Sequence, residues 1–221
     1  MLIHFVLDQL LPPIIRDSRW FLSAVFYLLF GSKAKYFLEF KDKVPYLTDE
    51  EIDEYYELLE DKFVQRPTDL NKACIRHIEG HISGSSVLDV ACGRGFMSEL
   101  LVKKGLNVTG VDIVIPEQTS ENPNYIKGRI TELPFPDNHF DTVVCTHTLE
   151  HIRDVSRAIQ EIKRVCNKRL IIVVPCQREY RYTFDLHIHF FPYEYKLREL
   201  LGPEGTISKL GGDFLYTRDT S

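Results

Sequence analysis

"VLDVACGRGF", residues 87–96, decides the fold. An apolar run ends in a bend carrying Gly93 and Gly95, and a helical pattern follows through Lys104. Glycines at such a bend let the backbone turn sharply and approach a ligand closely. An ordinary strand-to-helix connection in a ligand-free sheet reads the same way, so the surroundings must decide. "SVLDVA" (86–91), "NVTGVDI" (107–113), "NYIKGRI" (124–130), "DTVVCTH" (141–147) and "RLIIVVP" (169–175) are short β-rich runs in a chain that also carries helical patterns. A helix is expected from Asp154 to Cys166, and another over 192–202 between Pro192 and Gly202. "GTISKLGG" and "DFLYTRD" read as a closing hairpin. This alternation predicts an α/β fold with a doubly wound, mostly parallel, seven-stranded sheet. Right-handed crossovers then put the ligand crevice at the carboxyl ends of the strands.

The first 82 residues read differently. "LTDEEIDEYYELLEDKF" begins with Thr48 and, three residues on, Glu51, a capping box. Asp69 is expected to cap a further helix ending near Gly80 or Gly84. Aromatics are frequent, among them Trp20, Phe26, Tyr27, Phe30, Phe37, Phe40, Tyr55 and Tyr56. The densest apolar stretch, residues 20–30, is about half of the roughly 20 residues that span a bilayer. A helix lidding an apolar pocket, or one meeting a membrane surface over residues 14–30, are the two readings.

The chain has 221 residues and a formal net charge of −5. No concentrated basic face is evident, which argues against nucleic acid. Five cysteines, none in a CxxC pair, give neither a zinc knuckle nor a disulfide framework. A cytoplasmic protein with reduced thiols and no bound metal is expected.

The second β-rich run ends in Asp112, about 20 residues beyond the turn, where an acidic side chain can accept both hydroxyls of a ribose. The GxGxxG of a dinucleotide fold and the GxxxxGK[ST] of a phosphate loop are both missing. A ligand with a ribose and no phosphate, such as S-adenosylmethionine (SAM), fits better.

"VLDVACGRGFMSELL", "GVDI", "ITELPFPDNHFDTVVCTHTLEHI" and "RLIIVVP" resemble the successive motifs of class I SAM-dependent methyltransferases, small-molecule type. The likeness covers about residues 85–217. It implies that Asp89 and the Ala91–Cys92–Gly93–Gly95 backbone hold the methionine portion. Asp112 would bind the ribose and Ile113 would pack on adenine. Ile130 and Thr131 would lie at the adenine edge, and Thr146 and His147 beside the sulfonium. Arg129 stands where the family often has an aspartate for the adenine amino group. The implied organisation is a helical N-terminal cap, residues 1–82, serving as a substrate lid, and a SAM-binding domain, 83–221.

Methyl transfer from a sulfonium is an in-line displacement, and a hydroxyl acceptor also needs its proton removed. "CTHTLEH" is not the NPPY-like motif of amino-nucleobase enzymes, and Cys176 lacks the companion Pro-Cys of cytosine-C5 enzymes. "YTFDLHIHFF" (182–191) alternates polar and apolar. If extended, Asp185, His187 and His189 share one face, with about 6.6 Å between residues two apart and near 13 Å across all three; His187 and His189 could chelate one metal, but all three cannot easily share it. His147, or a member of that set, is the expected base. A small-molecule acceptor follows, most simply a hydroxyl of a saccharide or other biosynthetic intermediate. The rival reading is a non-catalytic protein of the same fold that binds a partner or membrane through its N-terminal helices.

Overall fold

The computed structural model describes residues 11–59, 66–116 and 123–220. Its contacts divide the chain into two compact units. One joins residues 1–65 to 177–190, and the other holds 66–176 and 191–221.

The larger unit is the sheet. Its strands are β1 (Ser86–Val90), β2 (Asn107–Asp112), β3 (Asn124–Lys127), β4 (Phe140–Thr146), β5 (Cys166–Pro175), β6 (Thr206–Leu210) and β7 (Asp213–Asp219). They lie in the order β3-β2-β1-β4-β5-β7-β6. Neighbours are parallel from β3 to β5, and β7 runs antiparallel between β5 and β6. This is the expected seven-stranded sheet. The strand expected over 124–130 stops at Lys127, and Arg129 and Glu132 instead close a tight turn.

Alternation along the strands builds two cores. Leu88, Val90, Val143, Cys145, Leu170, Ile172 and Val174 face one side. They pack with residues of the helices Val155–Val165 and Glu194–Leu201. Val87, Val144, Ile171, Val173 and Leu215 face the other, with the helices Lys72–Gly80 and Phe96–Val102. The helix Lys72–Gly80 thus belongs to the sheet unit, because Cys74 and Ile78 are buried in its core. The boundary accordingly falls at 65/66 rather than at 82. Its cap is Asn71, whose side chain accepts from the amides of Ala73 and Cys74. The expected cap, Asp69, pairs with Arg66 instead.

The family-like motif segments have visible structural work. In "FD", Asp141 accepts from the amides of Ser85 and Ser86 and pairs with Lys168 at 2.8 Å. The Lys168 ammonium, with those two amides, holds its carboxyl well below the usual range. In "LPFPD", Arg164 donates to the carbonyls of Phe135 (2.7 Å) and Leu133 (3.0 Å) and to Glu161. That fork pins the loop before β4 onto the helix that follows it.

The smaller unit contains α1 (Pro13–Arg16), α2 (Arg19–Phe30), α3 (Ala34–Lys43) and α4 (Asp49–Leu59). The capping box forms as read: Thr48 N donates to Glu51 at 2.7 Å and Glu51 N to Thr48 Oγ1 at 3.2 Å. Residues 19–46 are apolar and helical enough, by length and composition, for a membrane span. Gly31, at φ 56° and ψ −133°, nevertheless breaks the run. The rings of Phe26 and Phe30 on α2 then meet Phe37 on α3, at centroid distances of 5.7 and 4.3 Å.

The segment after β5 completes this helical unit. Tyr182, Phe184 and Leu186 are buried with Leu22, Phe26, Phe37 and Phe40. Phe184 stacks on Phe26 at 4.4 Å and 16°. Lys41 donates to the carbonyl of Tyr180 at 2.6 Å, and Arg181 reaches Asp42 at 3.3 Å. The expected extended face of Asp185, His187 and His189 is not formed. Thr183 Oγ1 accepts from the amides of both Asp185 and His187, and Leu186 takes φ +53°. A bend in place of a strand destroys the two-residue alternation.

Candidate cofactor and acceptor site

β1 lies between β2 and β4, and the chain leaves it first toward β2 and later returns to β4 on the other side. Ligands of open α/β sheets bind at such a switch point, beyond the carboxyl ends of the strands. Here that place gathers Ala91 to Gly95, Asp112 and the Thr146–His147 pair.

The turn after β1 is built from left-handed residues: Ala91 (φ 55°), Gly93 (φ 53°) and Gly95 (φ 78°). At Gly93, no heavy atom among the described residues lies within 4 Å of where a Cβ would stand. Asp112 Oδ2 accepts from the Gly93 amide at 2.8 Å, and Oδ1 from Val114 N at 3.2 Å. The carboxylate therefore joins the end of β2 to the glycine turn. Ile113 is half-buried and Val114 and Ile115 are exposed, an apolar ledge just past that carboxylate.

Gly95 and Gly110 are explained by an aromatic that the sequence reading passed over. Tyr125 of β3 lies beneath the turn. A Cβ on Gly95 would collide with its hydroxyl, and one on Gly110 would stand 2.7 Å from its ring and 3.0 Å from Cys92 Sγ. Only the spacing of Gly110 opposite Tyr125 in the β2–β3 register could have revealed this.

Three expected contact residues are placed differently. Asp89 is buried and accepts from Ser98 Oγ at 2.6 Å. Burial raises its carboxyl to about 6 in spite of that hydrogen bond. It braces the turn against the following helix, rather than offering a free carboxylate to a ligand. Cys92 is likewise buried, its thiol pushed up by burial, and its amide donates to the Val111 carbonyl at 3.1 Å. Ile130 is buried in the sheet core beside Leu133 and Val111. Its neighbour Thr131 is half-buried and gives its carbonyl to Arg157 at 3.1 Å.

His147 follows β4 at φ +49°, its amide extending the ladder to the Val173 carbonyl at 2.9 Å. Its ring lies between two carboxylates: Nδ1 is 3.4 Å from Glu150 and Nε2 is 3.5 Å from Asp213. These are ion-pair distances rather than well-aligned hydrogen bonds. Burial alone would lower the imidazole's pKa. Asp213 and Glu150 outweigh it and raise the value to about 10. Asp213 also accepts from Asn71 Nδ2 at 2.6 Å. The imidazolium thus ties β4 to β7 and to the cap of the helix Lys72–Gly80. The raised value favours the charged ring at neutral pH, so the geometry suits a charged strut better than the expected general base. Asp213, 66 positions away, leaves no sign in the sequence, whereas Glu150 stands three positions on within "TLEH".

Asp185, His187 and His189 belong to the helical unit. His187 is buried, and its Nδ1 is 2.7 Å from Gln177 Oε1. Gln177 Nε2 in turn bonds the Tyr180 hydroxyl. Asp185 and His189 are half-buried.

A family described as a methyltransferase domain matches residues 88–174. That match agrees with the class I SAM-dependent methyltransferase motifs of the sequence. It is 37% identical over 102 residues to a ubiquinone biosynthesis O-methyltransferase of Coxiella burnetii, covering 41% of this chain and 44% of that protein. A demethylmenaquinone methyltransferase of Renibacterium salmoninarum is 34% identical over 91 residues, 39% and 38% of the two chains. The chain thus spans less than half the length of these curated relatives. Among solved structures, the 1,6-didemethyltoxoflavin-N1-methyltransferase of Burkholderia thailandensis, bound to 1,6-didemethyltoxoflavin and S-adenosylhomocysteine, superposes with a TM-score of 0.56. That match covers 67% of this chain and 79% of that one at 20% identity, a likeness of fold.

The residues present fit SAM. The open cradle at Gly93, the Asp112 carboxylate beside it and the apolar ledge from Ile113 to Ile115 suit in turn the amino-acid tail, the ribose and the adenine.

Proposed function

We propose that the protein transfers the methyl group of SAM to an oxygen of a small organic acceptor. The observation that carries this reading is the Asp112 carboxylate set against the Gly93 amide at the switch point of the sheet. SAM supplies an electrophilic methyl on a sulfonium. The protein's part is to hold donor and acceptor in line and to exclude water. Asp112 would accept from the ribose hydroxyls, the Gly93 turn would lie along the amino-acid tail, and Ile113 would cover adenine. Ala91, Gly95 and Thr146 would shape the backbone around it, with Asp89, Cys92 and Ile130 supporting from beneath.

The acceptor oxygen must lose a proton. The raised pKa of His147 favours its charged ring, and His187 Nδ1 is engaged by Gln177. Asp185 and His189 remain the expected bases to be tested. The relatives named in quinone biosynthesis favour a hydroxylated aromatic acceptor over a saccharide. An acceptor of that kind is also in keeping with the aromatic content of residues 20–56.

Calorimetric titration with S-adenosylhomocysteine tests the cofactor half. Binding is expected in the native chain, with at least about ten-fold loss in Asp112→Ala, which removes a charge-assisted acceptor. No binding by the folded native chain would refute the reading. Asp185→Asn and His189→Gln, assayed with a catechol acceptor over pH 6 to 9, test the base. A lost acid limb in one variant would identify it, and unchanged profiles in both would remove both.

A further inference from the structure

The helix α2 is apolar all round: only Arg19 and Ser23 in "RWFLSAVFYLLF" are polar. One side, Leu22 and Phe26, is buried in the core of the helical unit. The opposite side carries Trp20, Ala24, Tyr27 and Leu28, spaced four, three and one apart along a single face. Trp20 is 79% exposed and Leu28 86%, and Ile14 of the adjoining α1 is 84% exposed. A surface helix ordinarily turns charged residues outward. Exposed apolar side chains gathered on one face, rather than scattered singly, mark a binding surface.

The charges around this face name the occupant. Residues 11–36 contain Arg16, Arg19, Lys33 and Lys35 against the single carboxylate Asp17, in a chain whose net charge is −5. Arg19 and Lys35 are exposed. Glu39, the carboxylate near both, is engaged by Lys43 at 2.7 Å. Tryptophan and tyrosine side chains favour the boundary between headgroups and acyl chains, where an apolar ring and a polar edge are both accommodated. An apolar helix face with cations at both ends has the pattern of an interfacial helix.

We propose that Ile14, Trp20, Tyr27 and Leu28 dock the protein onto the surface of an anionic lipid bilayer, with Arg19 and Lys35 against the headgroups. The inference rests on the helical unit alone and stands or falls separately from the methyltransferase reading.

Trp20 is the only tryptophan in the chain, so its fluorescence reports this face directly. The full chain is titrated with vesicles of phosphatidylglycerol and phosphatidylcholine, and with phosphatidylcholine alone. Expected are a blue-shifted emission and quenching by brominated acyl chains on the anionic vesicles, weaker on the neutral ones and weakened again by 0.5 M salt in the buffer, a high-salt condition that screens surface charge (about 3 Å screening length at 1 M). Tyr27→Glu and Leu28→Glu are expected to lower vesicle partitioning at least about ten-fold, because each puts a charge into the contact. Both positions are exposed, so unchanged circular dichroism and thermal midpoint are expected alongside. An emission maximum that no vesicle moves would overturn the proposal. So would a blue shift that appears without lipid and follows protein concentration, with sedimentation showing a dimer. In that case a second copy of the chain covers the face.

Discussion

The charged strut at His147 makes a prediction about stability that runs opposite to a neutral buried histidine. Its imidazole titrates ordinarily at 6.5 in the unfolded chain and at about 10 in the folded one. A folded value above the unfolded one means stabilisation that is complete below pH 6.5 and disappears as pH rises through 10. With those two values, the protonated form contributes on the order of 4 kcal/mol at pH 7 and on the order of 1 kcal/mol at pH 9, a loss of about 2–3 kcal/mol across two pH units. For a chain of this size the corresponding fall in Tm is about 5–10 °C. The measurement is urea unfolding at pH 7, 8 and 9 for the native chain and for His147→Asn. Asparagine tolerates the left-handed backbone at 147 and cannot take a proton in this range. The native chain should lose about 2–3 kcal/mol that the variant does not. Buried thiols such as Cys92 and Cys145 also cost stability as the unfolded thiols ionise above pH 9, but they do so equally in both proteins. Parallel losses in the two chains would show that the ring is neutral and that its carboxylate neighbours do not hold it charged.

Other outcomes follow from contacts described above. Ser98→Ala removes the hydroxyl that donates to Asp89 and should cost about 1–3 kcal/mol in urea unfolding. The cost should grow as pH rises above 6, where the Asp89 carboxyl ionises, and a pH-independent cost would contradict the assignment. Thr48→Ala opens the capping box and should destabilise the start of α4 by about 1 kcal/mol, read as faster amide exchange there with the sheet unaffected. Gly110→Ala places a Cβ against Tyr125 and Cys92 and should cost about 1–3 kcal/mol, with much of it recovered when Tyr125→Leu is added. If the second change recovers nothing, the ring is not what the glycine accommodates.

Strand sequence proved easier to read than side-chain destination. "RLIIVVP" and "DTVVCTH" are buried on both faces, and continuous apolar runs of that kind announce a parallel sheet without reference to anything distant. The bend at Gly93 and Gly95 and the place of Asp112 at the end of β2 were legible because backbone turns and strand ends leave a local signature. The destinations of His147 and His187 were not legible. Each histidine's role depends on the groups that surround it, and Asp213 and Gln177 meet these rings only after the chain has folded. "DLHIHFF" also misled for a local reason. Its polar and apolar residues do alternate, but the Thr183 hydroxyl captures the amides that a strand would have used. The cap boundary was placed too late because the helix Lys72–Gly80 has the same apolar periodicity as its predecessors. Periodicity does not say which core a helix joins.

Gly95 and Gly110 touch the same ring, yet they should behave differently over evolutionary time. At Gly95 the backbone is left-handed as well as crowded, so that position favours glycine even when residue 125 shrinks. Gly110 sits in an ordinary strand conformation and is small only because Tyr125 and Cys92 crowd it. Once residue 125 shrinks, position 110 is free to grow. Related chains should therefore trade volume between 110 and 125 in step while 95 stays fixed, and position 92 should enter the exchange as the third occupant of one shared space.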